Sequence, residues 1–510
     1  MKQFFWITIL SIQLGFSQNY LVEKLPSRVR LSGESIHMDG EPDMGFLGIG
    51  YEVFGLAQKF PNWYFGVNTY SALTGMRSGF FVFGVSTGIH KPLYKNKLFY
   101  DAGLFLGGGG GSAAPDGGGF MVRPHLDLEA KISKIMAIRL GITGVDFSDG
   151  GAITSLHANL GLTMDVDTYF SRNTNFINDK IVQKPSGFYK LNASMLSTTL
   201  FNFSKGPLKT TGANSADFPA ISLIGFELNR FLTEHLYATV ELGGAYKGGV
   251  DGFMMYLSGL GYELPFLKNH FVLDFRALIG GAGGGAVEFG GGLATQFEVG
   301  LGVHIKDYLL KVNLGKTYAP NGEFESNQVD ISLGRSFKLY KNQSDLREGV
   351  VAEEDVTLEE FNFSTYNRAY VSGSKRDKSG RLYDKVFNLI GFEVEKKFNQ
   401  NLGLVAATVW AYQGNYGAYA EGWLGMQYYI PLHKTWSLST KGMIGAGGGG
   451  DINLGNGLAF QYGLGIEKKV NKRCGIFLNV GQVRPVQNGN FTPVLVDLGL
   501  KLNINQLVKN

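Results

Sequence analysis

The stretch Phe120-Met121-Val122-Arg123-Pro124-His125-Leu126-Asp127-Leu128-Glu129-Ala130-Lys131-Ile132 alternates without a break. Phe120, Val122, Pro124, Leu126, Leu128, Ala130 and Ile132 share one face, and Met121, Arg123, His125, Asp127, Glu129 and Lys131 share the other. A period of two is that of a β-strand, whose successive side chains point to opposite faces. The same pattern returns with Phe297, Val299, Leu301, Val303 and Ile305 against Gln296, Glu298, Gly300, Gly302 and His304. It returns again with Phe460, Tyr462, Leu464 and Ile466 against Gln461, Gly463, Gly465 and Glu467. Each time one face is apolar and the other polar or small.

These three strands belong to a threefold internal repeat. Gly50-Tyr51-Glu52-Val53 matches Gly225-Phe226-Glu227-Leu228 and Gly391-Phe392-Glu393-Val394. Pro92-Leu93 matches Pro265-Phe266 and Pro431-Leu432. A glycine run follows in each copy, at Gly107 to Gly111, Gly280 to Gly285 and Gly445 to Gly450. The spacing is far longer than a solenoid repeat of about 20–50 residues, so each unit is large enough to be a domain. Alternation predicts eight strands per unit, in the first near 27–38, 45–57, 63–74, 79–91, 97–107, 119–132, 135–147 and 153–166. The connections alternate between tight Lys- or Asn-bearing turns (Lys95-Asn96, Lys268-Asn269) and Gly- and Asp-rich ones (Ser148-Asp149-Gly150-Gly151, Gln487-Asn488-Gly489). An up-and-down meander places the two sets at opposite ends.

Composition agrees. Of 510 residues 73 are glycine and 14 proline, aromatics are 13% and charged residues 18%. That excludes disorder and collagen and suits many strands on a partly apolar surface. A net charge of +4 is too balanced to imply nucleic acid. One cysteine, Cys474, excludes an intramolecular disulfide and a multi-thiolate metal site. Lys2, the apolar segment Phe4 to Phe16, and Gly15 and Ser17 before Gln18 read as a signal peptide over residues 1–17. Beyond it no run of 18 apolar residues occurs, which argues against a helical membrane protein.

An exported meander with one apolar face is either a soluble barrel, apolar inside, or an outer-membrane barrel, apolar outside. The many full charges on the polar face favour the second, because they would be costly in a soluble core. Aromatics near strand ends, Trp63, Phe81, Tyr94, Tyr308 and Trp436, suit an interfacial girdle. The last strand of each unit resembles the C-terminal β-signal of outer-membrane barrels. The matching residues are Asn159, Gly161, Met164 and Val166; Ser332, Gly334, Phe337 and Leu339; and Asp497, Gly499, Leu502 and Ile504. In departure from that signal the final position is aliphatic, and six residues follow Ile504. By layout each unit resembles an eight-stranded barrel of the OmpA/OmpX type.

The expected fold is therefore all-β: antiparallel, up-and-down transmembrane β-barrels from three homologous eight-stranded repeats, 24 strands in total. The expected division is signal peptide 1–17, repeat 1 at 27–167, a polar linker 168–187, repeat 2 at 188–340, an acidic linker 341–360 and repeat 3 at 361–505. Two arrangements remain open, three tandem barrels or one 24-stranded ring. Long joints, internal β-signals and an interior mixing Phe80, Val82, Phe105, Leu278 and Met443 with Gly84 and Gly88 favour tandem barrels.

The glycine runs are not phosphate loops, since no Gly-Lys-Ser/Thr follows them. They read as bends and places of close backbone approach. The polar face supplies the site candidates Glu52, Arg123, Glu227, Arg276, Gln296, Glu393, Lys441 and Gln461, with Asp101 and Asp274 beside them. A mixed-sign interior held by ion pairs is the expected role; a charge-selective lumen is the functional counterpart. No catalytic residue, cofactor or metal site is expected: no two of the eight histidines stand at i, i+2 or i, i+4 spacing. The expected function is a non-enzymatic outer-membrane barrel with a structural or binding role. The alternatives are a 24-stranded pore or transporter and an envelope lipid-modifying enzyme. Expected partners are outer-membrane lipid, the barrel-assembly machinery during insertion, and a periplasmic or envelope protein at the joints.

Overall fold

A computed structural model describes residues 19–56, 59–174, 187–203, 220–341, 348–352, 356–471 and 473–509. The expected signal peptide and the acidic residues Glu353, Glu354 and Asp355 lie outside the described residues. No helix among the described residues is long and apolar enough to cross a membrane. The described chain is antiparallel strand and turn, and it closes into three separate eight-stranded barrels.

The first barrel runs Asn19–Ile36, Met44–Phe54, Trp63–Thr74, Phe81–Tyr94, Leu98–Gly110, Met121–Lys131, Met136–Phe147 and Thr154–Thr174. Its first strand pairs with its own last, Leu31 opposite Leu162. The second barrel spans Gly187–Phe201 to Glu325–Lys341 and closes with Ser197 opposite Ile331. The third spans Phe361–Val371 to Val494–Asn503 and closes with Ala369 opposite Val496. The single 24-stranded ring is thereby corrected. It needs Asn19–Ile36 beside Val494–Asn503, whereas the first and last strands of each unit pair with each other and close the barrel.

The barrels are apolar outside and charged inside. Leu126 and Leu140 are 60% and 61% exposed, while Arg123 and Glu129 are fully buried. Phe297, Val299 and Leu301, and Phe460, Tyr462 and Leu464, are likewise exposed, with Gln296, Glu298 and Gln461 buried behind them. A soluble protein has this order reversed. Trp63, Tyr94, Tyr308 and Trp436 are exposed at strand ends on the side of the chain termini. Phe81 is a correction to the expected girdle: it is buried between barrels.

Two expected linkers are more structured than the sequence suggests. Thr154–Thr174 runs into the polar joint, and Glu348–Ala352 and Val356–Glu359 form strands within the acidic one. With Gln506–Lys509 they raise the strand count among the described residues from the expected 24 to 27. Asn19 to Glu23 pairs with Ala352 to Glu348, and Val356 to Glu359 with Lys509 to Gln506. Ser171 N–H donates to the Asn505 carbonyl at 2.9 Å, and Gln506 Nε2 to the Tyr169 carbonyl at 2.7 Å. Tyr20, Val22, Tyr169, Tyr340, Val351, Val356 and Leu507 pack into one apolar cluster. The joints and the terminal segments therefore form a small base under the barrels.

At the opposite end the glycine runs meet other barrels. Leu98–Gly110 lies against Leu402–Gln413 of the third barrel, Trp436–Gly448 of the third against Leu236–Lys247 of the second, and Phe271–Gly283 of the second against Trp63–Thr74 of the first. The fifth strand of each unit thus meets the third strand of another, and the cycle closes as a single-chain pseudo-trimer. A Cβ on Gly108 would lie 2.7 Å from the Ala411 carbonyl and 2.8 Å from that of Trp410. Gly79, at φ +84, sits against the backbone of Gly284, and Gly448 against that of Gly252. Phe81, Trp410 and Ala420, with Phe83, Met254, Tyr256 and Ile390 around them, form an apolar cluster shared by all three barrels. Glycine is used here for approach between units as well as for turns within them.

Candidate functional site

The charged interiors are the chemistry the fold concentrates. In the first barrel Glu52 binds Arg28 and Arg30, the latter at 3.0 Å. Arg28 also reaches Asp101 and, at 3.2 Å, Glu129. Arg30 and Arg139 share Asp127. His125 Nε2 lies 2.7 Å from Asp101 Oδ1, which also accepts from Tyr64 OH at 3.1 Å. Arg123 stands apart from Glu52 and pairs with Glu34, Nε to Oε1 at 3.0 Å. These arginines and carboxylates are buried, four cations beside five anions.

The second barrel gathers its charges on one guanidinium. Arg276 contacts Glu227 at 2.8 Å, Asp330 at 3.3 Å, and Glu241 and Glu298 more closely still. Lys311 bridges Glu227 and Asp274, each at 3.0 Å. Gln296 Nε2 donates to Glu298 Oε1 at 2.7 Å. In the third barrel Lys441 Nζ meets Glu393 Oε2 at 2.5 Å, and Gln461 Oε1 accepts from Arg368 Nη1 at 2.9 Å. Arg368 is held by Asp497 at 2.7 and 3.0 Å. Tyr370 OH and Trp423 Nε1 donate to Glu421 at 2.7 and 2.9 Å.

All eight expected polar residues thus point inward, in three separate networks rather than one lumen. Seven are buried and Lys441 nearly so. Their register is less uniform than the repeat suggests. Counted from the bulge that opens each second strand, Glu227 and Glu393 are four residues beyond Leu223 and Leu389, but Glu52 is six beyond Phe46. Sequence reading missed Arg28, Arg30, Glu34, Arg139, Lys311, Asp330, Arg368, Asp497 and Glu421. Their signal was present: each stands at an inward position of an alternating strand.

Among the described residues two triads come close enough to suggest a metal site, Asp101, His125 and Asp127, and Glu241, Glu298 and Asp330, their ligand atoms within 4.8 Å of one another. Each already holds a protein cation, Arg28 or Arg139 in one and Arg276 in the other. Glu298 Oε2 also accepts from Asn313 Nδ2 at 3.2 Å. The nearest arrangement to a nucleophile and base is Ser155 Oγ, 2.9 Å from His157 Nδ1, with His157 Nε2 3.5 Å from Glu34. Ser155 faces the barrel interior, is 7% exposed, and accepts the His37 N–H at 3.1 Å. It belongs to the interior hydrogen bonding.

Above the charges the glycine ends are filled with apolar side chains. Met44, Phe46, Tyr70, Phe80, Phe105 and Phe147 are buried in one such cluster, and Phe253, Phe289 and Phe324 in another. Tyr383, Phe387, Tyr416, Tyr419 and Phe491 fill the third.

No family model and no curated protein matches the sequence. Solved outer-membrane barrels are found by structure. They include the Pseudomonas aeruginosa protein OccK5 (OpdH), at 9% identity over 96% of this chain and 99% of that one, with a TM-score of 0.22. The P. aeruginosa outer membrane protein opdK gives 9% identity, 95% and 98% coverage and 0.22. The P. aeruginosa siderophore receptor PirA gives 8%, 94%, 80% and 0.27.

Proposed function

We propose that this chain is an outer-membrane protein whose three filled barrels form one membrane-embedded body with a structural or binding role. The carrying observation is the state of the interiors. Arg28, Arg123, Arg276 and Arg368 are buried among carboxylates, and aromatic clusters lie above them. Large and small side chains filling an eight-stranded barrel leave no room for a water column. The exposed apolar exterior supports the placement in lipid.

The test is conductance. Full-length protein reconstituted into a planar bilayer is expected to leave the current at the bare-membrane baseline. Stable unitary steps that scale with the number of inserted molecules would contradict the reading.

A second reading, a pore or transporter, has the charged lining in its favour: a polar track runs inside each barrel, and a solute could follow it if the ion pairs part. The same recording separates the two.

A further inference from the structure

The seam between the first and third barrels carries two adjoining hollows of opposite character. One, of about 420 Å³, lies at mid-strand height between Val85, Leu106 and Phe120 of the first barrel and Ile390, Leu498 and Leu500 of the third. The other, of about 490 Å³, lies at the glycine end between Asp149 of the first barrel and Asn388, Gln413 and Asn415 of the third. Both volumes are in the range of small-molecule sites, roughly 300–1,000 Å³. A chain of side chains joins them. Tyr412 OH donates to Asn367 Oδ1 at 2.7 Å, Asn367 Nδ2 to Asn388 Oδ1 at 3.1 Å, and Asn388 Nδ2 to Gln413 Oε1 at 2.6 Å. Asn367 and Tyr412 line the apolar hollow, and Asn388 and Gln413 the polar one.

We infer that this seam binds one lipid of the leaflet on the glycine side, its acyl chain in the apolar hollow and an uncharged, hydroxyl-bearing headgroup, a sugar, in the polar one. Three observations select that occupant. The apolar hollow is walled by outward-facing side chains at bilayer depth, where hydrocarbon fills space at less cost than water. The polar hollow offers the amides of Asn388, Gln413 and Asn415, which donate to and accept from hydroxyl groups, and the Asp149 carboxylate, which accepts from them. Among the described residues no Lys or Arg lines it, so a phosphate meets no cation from them there.

The seam is also specialised among the three. At the bulge that opens the second strand, the third barrel pairs Asn388 with Gln413, where the first pairs Gly45 with Thr74 and the second Ser222 with Lys247. In the seam between the second and first barrels, Gly291 lies against the Thr74 backbone, and Asn321 Nδ2 donates to the Leu73 carbonyl at 2.7 Å. Protein closes that position.

The inference rests on the membrane placement proposed above and not on the absence of conductance, so a conducting protein that retains the lipid overturns that reading alone. The test is native mass spectrometry of the full chain in lauryldimethylamine oxide. Monoglucosyl dioleoylglycerol, dioleoylphosphatidylglycerol and dioleoylphosphatidylethanolamine are added separately. One equivalent of the glucolipid is expected to stay bound, roughly tenfold more than either phospholipid, the effect of one or two buried hydrogen bonds. Asn388→Leu with Gln413→Leu is expected to abolish that preference, and Leu106→Trp to abolish retention of all three lipids. Lys247→Leu, at the equivalent position of the second barrel, is expected to change nothing. Folding of each variant is read from the mobility of unheated protein on a gel. Equal retention of the three lipids, no retention, or an undiminished preference in the folded double variant overturns the inference.

Discussion

Replacing Arg276 by Met is expected to cost the second barrel about 3–5 kcal/mol, the usual penalty for removing one partner from a buried ionic cluster. The side chain is buried and its guanidinium contacts Glu227, Glu241, Glu298 and Asp330. Counting Asp274, the cluster has five carboxylates, and among the described residues only Lys311 remains to face them, already engaged by two. Methionine keeps most of the volume and supplies no charge, so the loss is electrostatic rather than steric. The measurement is urea unfolding of the refolded protein in detergent, followed by the gel mobility of unheated samples. Adding Glu241→Gln and Glu298→Gln to the variant is expected to restore part of the loss. Lys316→Met is the contrast: it and its partner Glu325 are both exposed to solvent, which screens the pair, and the unfolding midpoint is expected to stay unchanged. A loss below about 1 kcal/mol for Arg276→Met would mean that the cluster does not hold the barrel.

The second large effect is expected at the seams. Gly108→Val places a branched side chain against the carbonyls of Trp410 and Ala411 in the third barrel, the nearest atoms to an added Cβ. Overpacking of this kind costs about 1–3 kcal/mol, and here it falls on the contact between barrels. The reporter is Ala420→Cys in a Cys474→Ser background, since Ala420 is buried in the cluster shared by the three barrels. Its labelling by a bilayer-soluble maleimide is expected to rise roughly 5- to 150-fold, the span of that energy. Gly442→Val, on the exposed face of the same barrel with nothing within 4 Å of an added Cβ, is expected to leave labelling unchanged. Equal labelling in all three proteins would show that the seam is not closed by the glycine contacts.

How much of this was legible follows from burial on two faces. Where one face meets lipid and the other the barrel interior, alternation marks the strand: 63–74 is expected and Trp63–Thr74 is found. Where both faces are covered, alternation disappears. Tyr20, Leu21 and Val22 are all buried, as are Val350 and Val351; the first three fall between the expected leader and the first expected strand, and the last two in the expected acidic linker. Inward charges were legible as a class but not as pairs. Arg123 and Glu52 share a face and a barrel, yet the strand stagger gives Arg123 to Glu34 and Glu52 to Arg28 and Arg30. The seams were least legible. A glycine that admits a neighbouring backbone has no side chain to announce it, and the amides that line the polar hollow come from separate strands.

The central claim is that each eight-stranded unit closes on itself. The most direct test is disulfide formation in a Cys474→Ser background between Leu31→Cys and a second cysteine at either Leu162 or Leu500. The three residues lie on the lipid-facing side of their strands, and Leu31 stands opposite Leu162 in the closing pair of the first barrel. Three closed barrels predict a cross-link between positions 31 and 162, found by mass spectrometry of the digested protein, and none between 31 and 500. A cross-link between 31 and 500 without one between 31 and 162 would contradict the account and return the chain to a single ring.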